Sequence, residues 1–130
     1  FALTTRHARG TVLRVEPRGP RYDTQRYADV PLVTATATHD EETGAVTLIA
    51  VNRDQSAPVS LEADVRAFGT GSLALVEHVA LADRDIGATN TEADPERVRP
   101  RPVDDTALDD GRLTATLAPV SWNLIRLSRQ

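Results

Sequence analysis

The stretch Ala45 to Arg53 is the longest run of β-forming apolar residues in the chain and sets the strongest constraint on its fold. It reads Ala-Val-Thr-Leu-Ile-Ala-Val-Asn-Arg and begins directly after Gly44, which closes the acidic segment Asp40-Glu41-Glu42-Thr43. A short apolar run bounded by turn residues predicts a strand that is buried on both faces. Since nothing in the run has the character of a catalytic site, it indicates the core of a β-sandwich.

Six further segments have the composition or the alternation of strands. In Leu32–Thr38, alternating threonine and alanine predict a strand with one small-residue face, and the acidic turn joins it to the Ala45–Arg53 strand as a β-hairpin. The other five segments are Thr11–Val15, Val59–Arg66, Ser72–Leu81, Leu113–Leu117 and Trp122–Leu127. Seven short strands separated by turns predict an all-β fold, an antiparallel, jelly-roll-like β-sandwich.

Composition narrows the classes of function. A chain of 130 residues is expected to form one domain with a core that needs no covalent staples. There is no cysteine, which excludes disulfides and thiolate metal sites. The net charge of -4 comes from interleaved acidic and basic residues and argues against a nucleic-acid groove. No apolar run approaches the ~20 residues of a membrane-spanning helix, so neither a nucleic acid nor a membrane is expected as a partner.

Three segments lie outside the predicted strands. Residues 1–10 end in Arg-His-Ala-Arg-Gly, the signature of a helix C-terminus, and they have no N-cap; the alternative is a frayed terminus. Residues 18–31 are polar and punctuated by proline, which predicts a connecting loop. Residues 82–111 are rich in Asp, Pro and Arg. A loop of that length is unusual unless it packs against something.

The acidic residues and the histidines are the side chains in this sequence that could support acid–base catalysis or bind a metal ion. The acidic clusters are Asp40–Glu42, Asp83 with Asp85, Asp104 with Asp105, and Asp109 with Asp110. Turn structure explains carboxylates at such positions better than acid–base catalysis does, and none has the spacing of a calcium loop. His7, His39 and His78 are too far apart in sequence for a local metal motif.

Nucleophilic catalysis and sugar stacking also have little support. Ser121 is not surrounded by a nucleophile elbow. Trp122 lies inside a strand and is interpreted as a core residue, while Tyr22 and Tyr27 make a weak platform for a sugar ring. The sequence therefore predicts no catalytic residue, no metal-binding residue and no cofactor.

Three segments, taken together in this order, carry a family resemblance. They are Val51-Asn52-Arg53; Ala88-Thr89-Asn90-Thr91 followed by Asp94-Pro95-Glu96-Arg97-Val98-Arg99-Pro100; and Ser121-Trp122-Asn123-Leu124-Ile125-Arg126-Leu127. They resemble the C-terminal domain of the α-L-arabinofuranosidases of glycoside hydrolase family 51. Residues 6–13 are similar to the join at which the last helix of the catalytic barrel enters that domain, and Asp29-Val30-Pro31 is similar to the lead-in to the next strand. The resemblance covers essentially the whole chain.

The resemblance implies a division of the chain and a role for it. In this family a (β/α)8 barrel carries an acid/base glutamate and a nucleophile glutamate, hydrolyses terminal arabinofuranosyl bonds with retention, and packs against a jelly-roll domain. Residues 1–10 would then be the tail of the barrel's last helix, and residues 11–130 the C-terminal sandwich domain. No residue here matches the motif of either glutamate, so the chain is expected to be a non-catalytic accessory domain of a retaining hydrolase.

The resemblance also implies a partner and a surface. Asn90, Thr91, Arg97 and Arg99 are predicted to contact the barrel, the alternative being that Asn90 and Thr91 cap their own turn. Apolar surface exposed where the barrel is missing predicts self-association or a homo-oligomer. The expected location is cytoplasmic rather than secreted. Two other functions remain open, an independent carbohydrate-binding module and a generic interaction sandwich.

Overall fold

In the computed structural model, residues 1–130 form two facing antiparallel β-sheets preceded by one short helix. The elements are α1 Ala2–His7, β1 Thr11–Leu13, β2 Arg21–Tyr22, β3 Val30–Pro31, β4 Val33–Asp40, β5 Ala45–Asn52, β6 Val59–Asp64, a 3-10 helix Arg66–Phe68, β7 Leu73–Leu81, β8 Arg101–Pro102, β9 Ala107–Asp109, β10 Arg112–Leu117 and β11 Ser121–Arg129. The predicted all-β sandwich is confirmed. No helix is both long enough and apolar enough to span a bilayer.

The larger sheet has the strand order β1-β4-β5-β11-β7-β8, and the smaller one has the order β6-β10-β9. Every strand pair is antiparallel. A third, two-stranded sheet pairs β2 with β3 inside the segment predicted as a connecting loop. The long polar segment 82–111 likewise contains two short strands, β8 and β9, which the sequence did not predict.

The predicted β4–β5 hairpin is confirmed. Its register pairs Asp40 with Ala45, and Gly44 closes the turn with a φ of 71°, a conformation that glycine adopts without steric cost. The carboxylate of Asp40 accepts a hydrogen bond from the Glu42 backbone N–H at 3.0 Å. The acidic residue at the start of this turn therefore orders its backbone.

The core lies between the two sheets and is built from strands that alternate. On β4 the alanines point inward and the threonines outward, as the alternating pattern predicts. One cluster of buried apolar residues fills the space between the sheets, with Val65 contributed by the residue just after β6: Ala37, Val46, Leu48, Val65, Leu73, Leu113, Ala115, Ile125 and Leu127. Because β10 contributes Leu113 and Ala115 on one face only, its other face is free to be polar.

A β-bulge at Val76 reverses the alternation of β7. Strand β11 pairs Leu127 with Leu75 but Arg126 with Glu77, so Val76 is an extra residue in β7. Beyond the bulge His78 and Ala80 face the core, and Val79 takes the opposite face. The apolar residues of one strand thus serve both faces of the sheet.

Trp122 does not lie in the core, contrary to the expectation from its position in a strand. It pairs with Val51 and Leu81, and like them it is only partly buried on the face of the larger sheet that points away from the core. Its neighbours in β11, Ser121 and Asn123, are the residues that point inward. The strand was therefore correctly predicted, but its inward face was assigned to the wrong residues.

Candidate functional site

The loop that carries the four predicted contact residues is ordered by its own side chains. The Asn90 amide makes two hydrogen bonds to the Val98 backbone, donating from Nδ2 to the carbonyl at 3.0 Å and accepting at Oδ1 from the N–H at 2.7 Å. The Thr91 backbone N–H donates to the Asp94 carbonyl at 3.1 Å, and the Asp94 N–H donates to the Thr91 hydroxyl at the same distance. Asn90 and Thr91 thus close a compact surface loop.

Arg97 fixes this loop to the end of β7. Its guanidinium lies 3.4 Å from Asp83 Oδ2 and 3.3 Å from Asp85 Oδ2. The Asp85 backbone N–H, which donates to Asp83 at 2.8 Å, holds the pKa of the Asp83 carboxyl below its usual range, and Arg97 lowers that pKa further. The loop therefore presents a defined shape at the end of the sandwich.

The four predicted residues are all exposed, and the structure places them together in one loop. Arg99 has the least engaged side chain, since its only partner is Glu96 at 3.4 Å. Each of the other three already uses at least part of its hydrogen-bonding capacity within the loop. Their contact with another domain stays a prediction.

Two turn carboxylates, Asp40 of the candidate clusters and Asp54 of the turn after β5, are held by backbone N–H groups. Asp54 accepts from the backbone N–H groups of Ser56 and Ala57, both at 2.9 Å, and these bonds hold the pKa of the Asp54 carboxyl below its usual range. The Thr43 hydroxyl, its backbone N–H and that of Glu42 do the same for the pKa of Asp40. A general acid needs the opposite shift, toward a raised pKa.

The three histidines lie in separate parts of the molecule. His7 ends α1, His39 lies with its ring centroid 4.9 Å from that of Phe68, and His78 is buried in the interior. No group of three His, Cys, Asp or Glu residues is arranged to hold a metal ion.

A buried polar chain on the inner face of the larger sheet was missed by the sequence analysis. His78 Nδ1 lies 2.6 Å from the Thr106 hydroxyl, and His78 Nε2 lies 2.9 Å from Asn123 Oδ1. The Asn123 amide donates onward to the Ser121 hydroxyl at 2.8 Å. Ser121 is 2% exposed and donates to the Ala118 carbonyl, so the Ser121 end of this chain of residues is a packing element of the interior.

A second feature missed by the sequence analysis is the face of the larger sheet that points away from the core, here called the outer sheet face. Its centre is formed by Ile49, Val51, Val79, Leu81, Trp122 and Leu124, and its edge by Thr34, Thr36 and Thr38. Leu124 is completely buried in the centre, its five apolar companions are partly buried, and Thr36 is exposed. The signal was present in the sequence, because the Ala45–Arg53 run is apolar at every position but three.

One end of the outer sheet face is covered by α1. The buried Thr47 hydroxyl donates to the His7 carbonyl at 2.8 Å, and the ion pair of Arg126 with Glu77 lies close by. Partial burial lowers the pKa of His7, and Arg126 lowers it further. Gly10, with a φ of 81°, follows the helix and sits so close to the His39 backbone that a Cβ would overlap it.

Comparison with known proteins identifies relatives over nearly the whole chain. The sequence model of the family described as "Alpha-L-arabinofuranosidase C-terminal domain" matches residues 1–121. The intracellular exo-α-(1→5)-L-arabinofuranosidase of Streptomyces lividans is 48% identical over 126 residues, which are 97% of this chain and 19% of that protein. The enzyme of the same description from Halalkalibacterium halodurans is 39% identical over 95% of this chain and 24% of its own length.

The fold is shared with solved structures. That of AbfB, a family 51 α-L-arabinofuranosidase from Bifidobacterium longum, superposes with a TM-score of 0.87 at 36% identity, over 96% of this chain and 24% of that one. A family 51 arabinofuranosidase from Xanthomonas axonopodis pv. citri gives a TM-score of 0.71 at 25% identity, over 84% of this chain and 21% of that one. The chain spans about a fifth to a quarter of the length of the relatives it matches.

Proposed function

This chain belongs to the family of α-L-arabinofuranosidase C-terminal domains of glycoside hydrolase family 51, and we propose that it is the non-catalytic accessory domain of a larger arabinofuranosidase, in which it stabilises a catalytic barrel. The observation that carries the proposal is the match of residues 1–121 to a domain that makes up only 19% to 25% of its curated relatives. The turn-capping roles of Asp40 and Asp54 support the assignment of catalysis to another part of the protein.

Residues 1–10 are proposed to be the tail of the barrel's last helix. Helix α1 carries Arg6 and His7 in its last turn and has no side chain that caps its first turn. That combination is expected of the C-terminal end of a longer helix. Residues 11–130 would then be the sandwich domain itself.

The reaction proposed for the whole protein is hydrolysis of terminal α-L-arabinofuranosyl residues with retention of configuration. Two relatives carry names that specify exo-α-(1→5) cleavage and an intracellular location. We extend both to this protein, which gives an arabinan-type oligosaccharide as substrate and the cytoplasm as location.

The loop residues Asn90, Thr91, Arg97 and Arg99 are proposed to contribute to the contact with the barrel. They project together from the end of the sandwich, and Arg99 is bound only by a long contact to Glu96. In the longer protein, Arg99→Ala is expected to lower the melting temperature, because a second partner would be lost. An unchanged melting temperature for Arg99→Ala and Arg97→Ala would remove this loop from the interface.

The test of the function uses three proteins. They are the 130-residue chain, the longer protein that contains it, and a truncated form of the longer protein that ends at residue 10 and so lacks the sandwich domain. A chromogenic α-L-arabinofuranoside should be cleaved by the longer protein and not by the 130-residue chain. The truncated form should lose thermal stability. Affinity electrophoresis in arabinan should show no retardation of the 130-residue chain, and retardation would favour the alternative, a carbohydrate-binding module. If the longer protein does not cleave the arabinofuranoside, the proposal is refuted.

A further inference from the structure

We propose that the outer sheet face is the surface on which the catalytic barrel docks, with apolar side chains of the barrel's helices covering Ile49, Val51, Val79, Leu81 and Trp122. This inference rests on the proposed function, because it takes its occupant from it. It differs from the loop of residues 90–99 in chemistry, since it is an apolar surface and not a set of polar side chains.

The outward faces of the two sheets differ in composition. The smaller sheet presents Ser60, Glu62 and Asp64 from β6 and Arg112, Thr114 and Thr116 from β10. Glu62 and Arg112 form an ion pair at 3.1 Å across it. This is the polar, solvated outer face that a sandwich sheet normally has.

The larger sheet has an opposite composition on its outward face. Three adjacent strands place six apolar side chains there in two cross-strand rows, one of Val51, Trp122 and Leu81 and one of Ile49, Leu124 and Val79. The next row, Thr47, Arg126 and Glu77, is polar, so the apolar area is a patch on this face. A sheet with apolar area on both faces is characteristic of a layer with packed elements on each side. One side is occupied by the smaller sheet, and the other side needs a further layer.

The N-terminal helix approaches the sandwich on the side of the outer sheet face. Helix α1 lies on this same face, where the His7 carbonyl accepts a hydrogen bond from Thr47 of β5. Thr47 is 4% exposed, so the contact is tight. The C-terminal end of α1 therefore lies on the side of the larger sheet that carries the two apolar rows.

The proposed longer protein has enough additional chain to cover the outer sheet face. The relatives are roughly four to five times as long as this chain, since it spans 19% to 25% of them. A domain of that size, connected through α1, is held close to the apolar rows at high effective concentration. The barrel is therefore favoured over a second copy of this chain as the occupant.

The test exploits the absence of cysteine and a matched pair of exposed threonines. Thr36 lies on the outer sheet face in the row of Ile49, and Thr116 lies on the outward face of the smaller sheet. Thr36→Cys and Thr116→Cys are each placed in the 130-residue chain and in the longer protein. The rate of alkylation is read by mass spectrometry from the peptide that contains the new cysteine, at a concentration low enough to keep both proteins monomeric.

In the longer protein, Thr36→Cys should react at least about tenfold more slowly than in the 130-residue chain, because the covered face opens only rarely. Thr116→Cys should react at the same rate in both. Equal rates for Thr36→Cys in the two proteins would overturn the inference, and so would protection that is lost when an oligomer of the longer protein is diluted to monomers. Arabinofuranosidase activity of the same preparations separates the two hypotheses, since an active protein with an unprotected Thr36→Cys refutes the docking surface alone.

Discussion

His78 Nε2 lies 2.9 Å from Asn123 Oδ1, and both residues are almost completely buried between the sheets. Asn123 directs its amide nitrogen to the Ser121 hydroxyl and to the Ala50 carbonyl, so its oxygen is left to accept from the imidazole. The Thr106 hydroxyl on the other side of the ring then donates to Nδ1. This chain of bonds connects β5, β7 and β11 with residue 106, which lies just before β9.

Replacing Asn123 with alanine should destabilise the fold by about 2–4 kcal/mol, because it leaves the His78 N–H without an acceptor in the interior, removes the donor to the Ser121 hydroxyl and opens a cavity. Urea unfolding followed by circular dichroism measures the loss. Thr116→Ala, a change on an exposed face, is the control and should stay within about 0.5 kcal/mol of the unchanged chain. A loss below about 1 kcal/mol for Asn123→Ala would mean that water replaces the amide.

The sequence predicted the strands in which apolar and polar residues alternate regularly. It did not predict which residues face the core where an extra residue interrupts a strand. The β4–β5 hairpin followed from the alternation in Leu32–Thr38 and from Gly44, and both are in place. The bulge at Val76 reverses the inward and outward positions of β7, and no local pattern announces an extra residue. The position of Trp122 on the outer sheet face could not be predicted for a different reason. The sequence of a strand does not show which of its two faces packs against the other sheet.

The two candidate surfaces were likewise predicted only in part from the sequence. The loop of residues 90–99 was found through its resemblance to a family, but the double hydrogen bond between Asn90 and Val98 joins residues eight apart and has no sequence signature. The outer sheet face had a signature, since Ala45–Arg53 was predicted to be buried on both sides. Only the three-dimensional pairing of Ile49 with Leu124, and of Leu124 with Val79, shows that the second side is a continuous surface.

Gly10→Ala should loosen the attachment of α1 to the sandwich. The φ of 81° and the overlap of a Cβ with the His39 carbonyl oxygen together make alanine strained at this position, at an expected cost of about 2–3 kcal/mol or the release of the helix. Hydrogen exchange of residues 2–8 would report release, and urea unfolding would report the cost. Gly19→Ala, which meets no atom within 4 Å, is the matched control and should change neither.

Val120→Gly should stabilise the isolated chain by about 0.5–1 kcal/mol, because a β-branched residue at positive φ carries a strain that exceeds the extra backbone entropy of glycine. Val120 has a φ of 46° in the turn between β10 and β11, and its side chain is 39% exposed. Thermal unfolding measures the gain. Val12→Gly in the edge strand β1 is the control with the opposite sign, because glycine in a strand should lower the free energy of unfolding by about 0.5–1 kcal/mol. If both variants are less stable than the unchanged chain, Val120 is not strained.

Stability should fall as the pH drops below about 4, and Asp54→Asn should make that fall less steep. The pKa of Asp54 is lowered in the folded chain by the N–H groups of Ser56 and Ala57, so its contribution is fully present above the pKa of an unfolded aspartate and is lost as the pH falls through the folded pKa. An asparagine still accepts these hydrogen bonds but binds no proton. Urea midpoints between pH 7 and pH 3 test this, with Thr116→Ala, which removes no titrating group, as the control of unchanged slope.

The 130-residue chain should self-associate through the outer sheet face when no barrel covers it. Two such faces can pack on each other, because Ile49 and Val79 lie in one cross-strand row and association removes both from water. The double variant Ile49→Thr, Val79→Thr keeps β-forming side chains but loses apolar surface, so the dissociation constant should rise by about tenfold or more. Sedimentation velocity over a range of concentrations gives the dissociation constant.

Ile86→Thr makes the same chemical change at a residue that is 67% exposed in the loop after β7, and it should leave the dissociation constant unchanged. If Ile86→Thr weakens association and the double variant does not, the contact lies at the end of the sandwich and the outer sheet face is not adhesive.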